Sequence, residues 1–401
     1  MRILGMISGT SHDGIDIAIV DFQPDGQALV ARLEYADSVP YDGDLRRRLI
    51  DALPPAPVGF DVVCELDTRI GQSFGAAAAA ALARHAERHA DAPVDAVCSH
   101  GQTVFHWVAD GRAEGTLQIG QPAWIASATG LPVIADVRAA DVAAGGQGAP
   151  LVPVLDQLLL QGFVADGARA GALNLGGISN VTVCAPGAAP TAWDIGPANA
   201  LIDAVVTASP DTSDTFDRDG RLARAGAVVP ELLEVLLAEP YYALPAPKSS
   251  GKELFHLAYV EQALATAGVA PSLPDLVATL TEVTAVTVAD AVRASGLEVL
   301  VASGGGVRNP ALMERLAGQL PGVRLLTADD LGIPSDAKEA IAFALIGWAT
   351  LHGLPANVPS CTGASGPRVL GSLTPAPGRP VPATTTASSW PGSLRFQEPD
   401  R

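Results

Sequence analysis

The chain has 401 residues, 48% of them hydrophobic and 17% charged, with a formal net charge of −18 at pH 7. That is enough apolar chain for two ordinary cores, which excludes a disordered protein. The acidic balance excludes bulk attraction to nucleic acid backbones or anionic membranes, so an anionic ligand must be held by local amides, helix N-termini or a few arginines.

Arg2–Ile7 reads as a strand, Ser8–Gly14 as a tight polar turn, and Ile15–Phe22 and Ala28–Ala36 as further strands. Helices are expected at Asp44–Ala52 and over Asp61–His89, where Leu66, Ile70, Phe74 and Leu82 make one apolar stripe. Strands at Ala96–Ser99, Thr116–Ile119 and Pro132–Ala135 follow, with a helix after Gln121-Pro122 and another near Val152–Gln161. Then the opening recurs. Ala170–Leu175 is a strand, Gly176-Gly177 a turn, Asn180–Cys184 a strand, and Thr191–Ile195 a third that Gly196-Pro197 breaks before a helical run. Ala200 to Ser295 reads as mostly helical, Val299–Ala302 and Arg324–Thr327 as strands, and Asp336–Leu351 as an amphipathic helix. From about Pro375 onward Pro, Thr, Ser and Gly dominate, which predicts a disordered tail.

Three strands with a glycine turn between the first two, occurring twice, predict two related α/β domains facing each other across a cleft. Cys64, Cys98, Cys184 and Cys361 have no CxxC spacing and read as buried thiols of a reducing compartment. Ser8, His12, Asp13 and Asp16 interrupt the N-terminal apolar run, which excludes a signal peptide, and the Ala76–Ala81 run is too short to span a bilayer. A cytoplasmic protein is expected.

The chemistry-bearing residues sit at the turns. Gly9-Thr10-Ser11-His12-Asp13-Gly14 offers backbone N–H groups and two hydroxyls, a concave turn that suits phosphate. Asp13 and Asp16 supply hard oxygens that suit a hydrated magnesium ion. Gly176-Gly177 occupies the matching place in the second half, and Gly304-Gly305-Gly306 is a third such turn opening into a helix. Each alone reads as an ordinary hairpin or turn; three together point to a nucleotide clamp. Asp194 stands at the carboxyl end of a strand, where α/β sheets place their ligands, or else it caps the helix that follows.

Near-misses are excluded by position. Ser249-Ser250-Gly251-Lys252-Glu253 has a Gly-Lys pair but Ala246 and Glu253 where a phosphate loop needs Gly and Ser or Thr. Asn309 stands where a dinucleotide fingerprint after Gly304 needs its third glycine. His85 and His89 are four apart on a helix without an evident third ligand, and read as favourable charge near a helix end.

Several longer motifs are recognisable. They are Gly5–Asp16, Ser99–His106, Leu117–Gly120, Asp136-Val137-Arg138, Gly145–Pro153, Asn174–Asn180, Asp194–Asn199, Pro245–Gly251 and Gly304–Pro310. With these, the chain resembles the anhydro-N-acetylmuramic acid kinase family, within the sugar-kinase, heat-shock and actin superfamily, from its start to about Gly371. The resemblance implies two duplicated ribonuclease-H-like domains of the actin and hexokinase type, with an interdomain cleft. Residues 1–136 plus about 341–375 would form one lobe, 137–340 the other, and 376–401 the disordered tail. It implies an enzyme that opens the 1,6-anhydro bond of the sugar with water and phosphorylates O6 with ATP and magnesium, as a homodimer.

By the same resemblance Asp194 is the catalytic base. Gly9, Thr10, Ser11, His12, Asp13, Gly14, Ile15, Asp16, Gly176, Gly177, Gly304, Gly305, Gly306 and Asn309 hold the nucleotide. Glu339 matches a family glutamate near the sugar, against the plainer reading of a solvated glutamate beside Lys338. Gln102, Thr103 and Arg138 are expected sugar contacts, Arg138 toward the lactyl carboxylate. His12 replaces a usual leucine, and Gln121 a more usual acidic residue. A kinase for another sugar, or a silent nucleotide-gated module, are the competing functions. The sugar-side residues Gln102, Thr103, Asp136 and Arg138 argue against the module.

Overall fold

A computed structural model describes residues 1–9, 12–251, 254–378 and 389–397. The chain forms two units, Met1–Leu159 with Ala337–Arg401, and Leu160–Asp336. The sequence had set the joins at 136/137 and 340/341.

In the first unit, β1 (Arg2–Ser8), β2 (Gly14–Asp25) and β3 (Ala28–Pro40) form an antiparallel meander. Next, β4 (Ala96–Ala109) lies parallel to β1 and β5 (Arg112–Ile119) folds back on β4; β6 (Val133–Ala135) lies parallel to β4. In the second unit, β7 (Ala170–Leu175), β8 (Ile178–Cys184) and β9 (Thr191–Pro197) repeat the meander. There β10 (Val299–Ser303) is parallel to β7 and β11 (Arg324–Thr327) to β10. The orders β6-β4-β1-β2-β3 and β11-β10-β7-β8-β9 are the same arrangement twice, so the duplicated ribonuclease-H-like fold is present. The strands β12 (Ser372–Thr374) and β13 (Ser393–Phe396) extend the first sheet at its two edges.

Period-two alternation buries both faces of the first sheet. Leu4, Met6, Ile15, Ile17 and Ile19 pack with Leu66, Ile70 and Phe74 of the helix Phe60–Arg88. The other face carries the helix Lys338–Leu351, apolar on nearly all sides and accordingly buried. Gly5 lets this helix come close, because a Cβ there would collide with the Ala340 carbonyl and the Ala344 backbone. In the second unit Leu173, Leu175, Val181 and Ile195 pack with Ala285, Val288 and Val292 of the helix Leu273–Ala294.

Three expectations are corrected. The strand carrying Asp194 runs on to Pro197, since Gly196 and Pro197 still pair with Ser179 and Ile178. Part of the tail folds: Leu394 is buried, Ser393–Phe396 pairs with Ala28–Ala31, and the Trp390 ring lies 5.9 Å from Trp348. One tryptophan and one leucine suffice to anchor that stretch despite its composition; residues 379–388 and 398–401 of the expected tail lie outside the described residues. Cys64 is exposed, the other three cysteines buried.

Candidate active site

In the first unit the Gly9–Asp16 turn is fixed from behind. Gln102 Nε2 donates to Gly9 O at 3.1 Å, Arg46 Nε to His12 O at 2.9 Å, and Tyr41 N to Asp13 O at 3.1 Å. Ser8 Oγ lies 2.6 Å from both Gly14 O and Gln102 Oε1. The carbonyls of Gly9, His12, Asp13 and Gly14 are thus spent on the protein, an arrangement compatible with a phosphate cradle. His12 takes the left-handed conformation at φ 54°. Thr10 and Ser11 lie outside the described residues.

Gln102 is fully buried. Its amide nitrogen donates to Gly9 O and Thr103 O, and its oxygen faces Ser8 Oγ and Tyr41 OH, so all four of its hydrogen bonds are used inside the unit. That makes it a support of the turn. Thr103 accepts from Gln118 Nε2 at 3.2 Å.

Arg138 is half-buried, with Nε donating to His100 Nε2 at 2.7 Å and Nη1 to Gly148 O at 2.6 Å. Nη2 finds no acceptor among the described residues. Burial pulls its pKa down to about 10, against the opposing pull of Glu339 and Asp141. Glu339 is likewise half-buried, and its carboxyl is pushed up by burial first and by Asp16 second. This is not a solvated surface glutamate. Asp16 is also pushed up, by burial and by Asp13, while Ser38 bonds to it. Carboxylate oxygens at Asp13, Asp16 and Glu339 are hard donors of the kind a hydrated divalent ion takes. Beside Glu339, Lys338 pairs with Asp156 at 2.7 Å, both buried.

In the second unit Asp194 sits next to a bulge, where β9 has one residue more than β8 between the Asn180 and Ser179 pairings. Bulges re-aim side chains in this way. Its carboxylate does not cap the helix Asn199–Ala208, whose first position, Ala198, has no side-chain cap. Instead Oδ2 accepts from Ser249 Oγ at 2.8 Å and Ser250 N at 3.0 Å. The sequence assigned these two serines no role: they stood only in the Pro245–Gly251 motif and in the rejected Ser249–Glu253 phosphate-loop near-miss.

The glycine turns of this unit come together. Gly176 O and Gly177 O accept from the amides of Asn199 and Ala200, and Asn199 Nδ2 donates to Leu175 O at 3.2 Å and Gly176 O at 2.9 Å. A Cβ on Gly304 would strike Asn174 Oδ1 and one on Gly306 the Leu175 side chain, whereas one on Gly305 meets open space. Asn309 caps the helix Pro310–Gln319, accepting from Leu312 N at 3.2 Å, so its side chain is spent on the helix.

His85 and His89 do acquire a third neighbour, Glu34. Its oxygens, however, lie 2.9 and 3.3 Å from Arg2 nitrogens and 2.7 Å from His85 Nε2. Ion pairing accounts for the group.

A sequence model of the anhydro-N-acetylmuramic acid kinase family matches residues 1–376. The anhydro-N-acetylmuramic acid kinase of Streptomyces coelicolor is 54% identical over 375 residues, 94% of each chain. That of Rhodococcus erythropolis is 49% identical over 406 residues, 99% of this chain and 100% of the relative. Among solved structures, a ROK family glucokinase from Streptomyces griseus in complex with glucose and AMPPNP is 13% identical with a TM-score of 0.37, covering 86% of this chain and 98% of its own.

Proposed function

We infer the mechanism from one premise: the chain belongs to the anhydro-N-acetylmuramic acid kinase family. The protein is a phosphotransferase that uses ATP to convert 1,6-anhydro-N-acetylmuramic acid to N-acetylmuramic acid 6-phosphate, a step in reusing cell-wall sugar. The observation that carries our reading is the Asp194 carboxylate held by Ser249 and Ser250. Two donors on one oxygen orient the carboxylate, as a general base must be oriented.

Asp194 takes a proton from water as the water oxygen bonds to the anomeric carbon. The bond from that carbon to O6 breaks, and O6 attacks the γ-phosphorus in line as ADP leaves. General-base assistance of this kind contributes about 10²–10⁴-fold in rate. The Gly9–Asp16, Gly176-Gly177 and Gly304–Gly306 turns position the triphosphate. Asp13 and Asp16 would hold magnesium through water; when bound, it supplies charge neutralisation for the phosphate oxygens. Arg138 offers Nη2 to the lactyl carboxylate, with its other two nitrogens anchored, and Glu339 orients the sugar. The reading extends to a cytoplasmic homodimer, which sedimentation of the purified chain checks.

Release of ADP tests the function. It should require 1,6-anhydro-N-acetylmuramic acid; hydrolysis of ATP at the same rate without the sugar would contradict it.

A further inference from the structure

One stretch of chain, Tyr241–Ser250, makes four hydrogen bonds to Asp194. The Tyr241 hydroxyl donates to its carbonyl at 2.7 Å, and its amide donates to Lys248 O at 3.0 Å. Ser249 Oγ and Ser250 N donate to Oδ2 at 2.8 and 3.0 Å. Lys248 then closes the stretch on itself. Its Nζ donates to Tyr241 O at 2.9 Å and Tyr242 O at 3.0 Å, and stands 4.5 Å from the centroid of the Tyr241 ring. An ammonium spent on two carbonyls and an aromatic face acts as a staple, joining the start of the stretch to the residues that reach the carboxylate.

We propose that Ser249 is a positioning residue for the base and that Lys248 is the staple holding Ser249 in place, a proposal that rests on Asp194 being the base. The terminal torsion of an aspartate is broad, so the backbone of β9 alone does not fix the plane of the carboxylate. Two donors converging on Oδ2 do. Proton abstraction from water needs that plane set, because an error of about 1 Å in a reacting group costs on the order of 10²-fold. Ser249 is exposed, so deleting its hydroxyl opens no cavity and orphans no buried group. A merely structural serine here would leave catalysis untouched.

The experiment measures kcat and both KM values for Ser249→Ala, Ser249→Thr, Lys248→Met, Asp194→Asn and the double variant Ser249→Ala/Asp194→Asn. Ser249→Ala should lower kcat about 10-fold, the worth of one hydrogen bond to a charged group, with the KM for ATP unchanged. Ser249→Thr should restore most of it, and Lys248→Met should lower kcat in the same sense. In the double variant, Ser249→Ala should subtract nothing further from the residual turnover of Asp194→Asn, as expected for groups that act as a unit. Parent-like kcat in Ser249→Ala, or an equal loss in Ser249→Thr, overturns the positioning role while a slow Asp194→Asn leaves the base in place. Parent-like turnover in Asp194→Asn instead overturns the base itself.

Discussion

Arg138 Nε donates to His100 Nε2 across 2.7 Å, which fixes His100 as a neutral ring whose Nδ1–H points to Gly101 O at 3.0 Å. Burial, with the Arg138 charge behind it, holds the His100 pKa well below 6.5. A group depressed in the fold lets the unfolded chain bind the extra proton, so its contribution is complete above about pH 6.5 and is lost as pH falls. The parent should therefore lose more stability between pH 7.5 and 5 than His100→Gln does. Urea midpoints across that range check this, and parallel slopes for the two proteins would contradict it.

Arg138→Ala should raise the KM for the anhydro-sugar at least 10-fold before the KM for ATP moves. Arg138→Lys should recover little, because an ammonium cannot bond His100 and Gly148 while presenting a third donor in the same plane. Steady-state kinetics with each substrate varied in turn distinguish the cases. An unchanged sugar KM in Arg138→Ala removes this residue from the sugar site.

Glu339 carries an ionisation penalty, since burial and Asp16 both push its carboxyl up. A raised carboxyl favours the folded state below its unfolded value of 4.5, and that advantage is lost as pH rises through the folded value. Glu339→Gln should accordingly melt higher than the parent at pH 8, on the order of 2–4 °C, with the gap closing toward pH 4.5. Its kcat should fall at the same time. A variant no more stable at pH 8 would show that the penalty is absent.

Trp390 tests the folded part of the tail. Its indole Nε1 donates to Pro355 O at 2.7 Å, and Leu394 is buried beyond it. Trp390→Ala should destabilise the chain by about 1–2 kcal/mol, less than a fully buried tryptophan because the ring is half-exposed, and leave both KM values unchanged. Calorimetry and kinetics on the same preparation measure both; an unaltered melting temperature would contradict the anchoring role.

The doubled meander was legible because alternation and glycine turns are local signals, and because the same order of strand, turn and strand occurs at Arg2 and at Ala170. Asp194 was legible as a carboxylate near a strand end. What holds it was not: Ser249 lies 55 positions away, and no periodicity links the two. The supporting bonds of Gln102 were illegible for a related reason. Its motif is distinctive, yet the structure spends the amide on Gly9 O, Thr103 O, Ser8 and Tyr41, contacts set by tertiary packing. The cap that Asn309 places on the helix Pro310–Gln319 was legible in its position before Pro310 but went unread. The tail was misjudged on composition, which averages over the one tryptophan that anchors it.

The central claim is that Asp194 deprotonates the water that opens the sugar. Turnover of 1,6-anhydro-N-acetylmuramic acid with ATP in heavy-oxygen water, followed by mass spectrometry of the product, tests it most directly. The account predicts one heavy oxygen on the anomeric carbon, none on the transferred phosphoryl group, and loss of at least 10²-fold in the rate of labelling for Asp194→Asn. A phosphorylated product without label at that carbon, or full-rate labelling in Asp194→Asn, would contradict it.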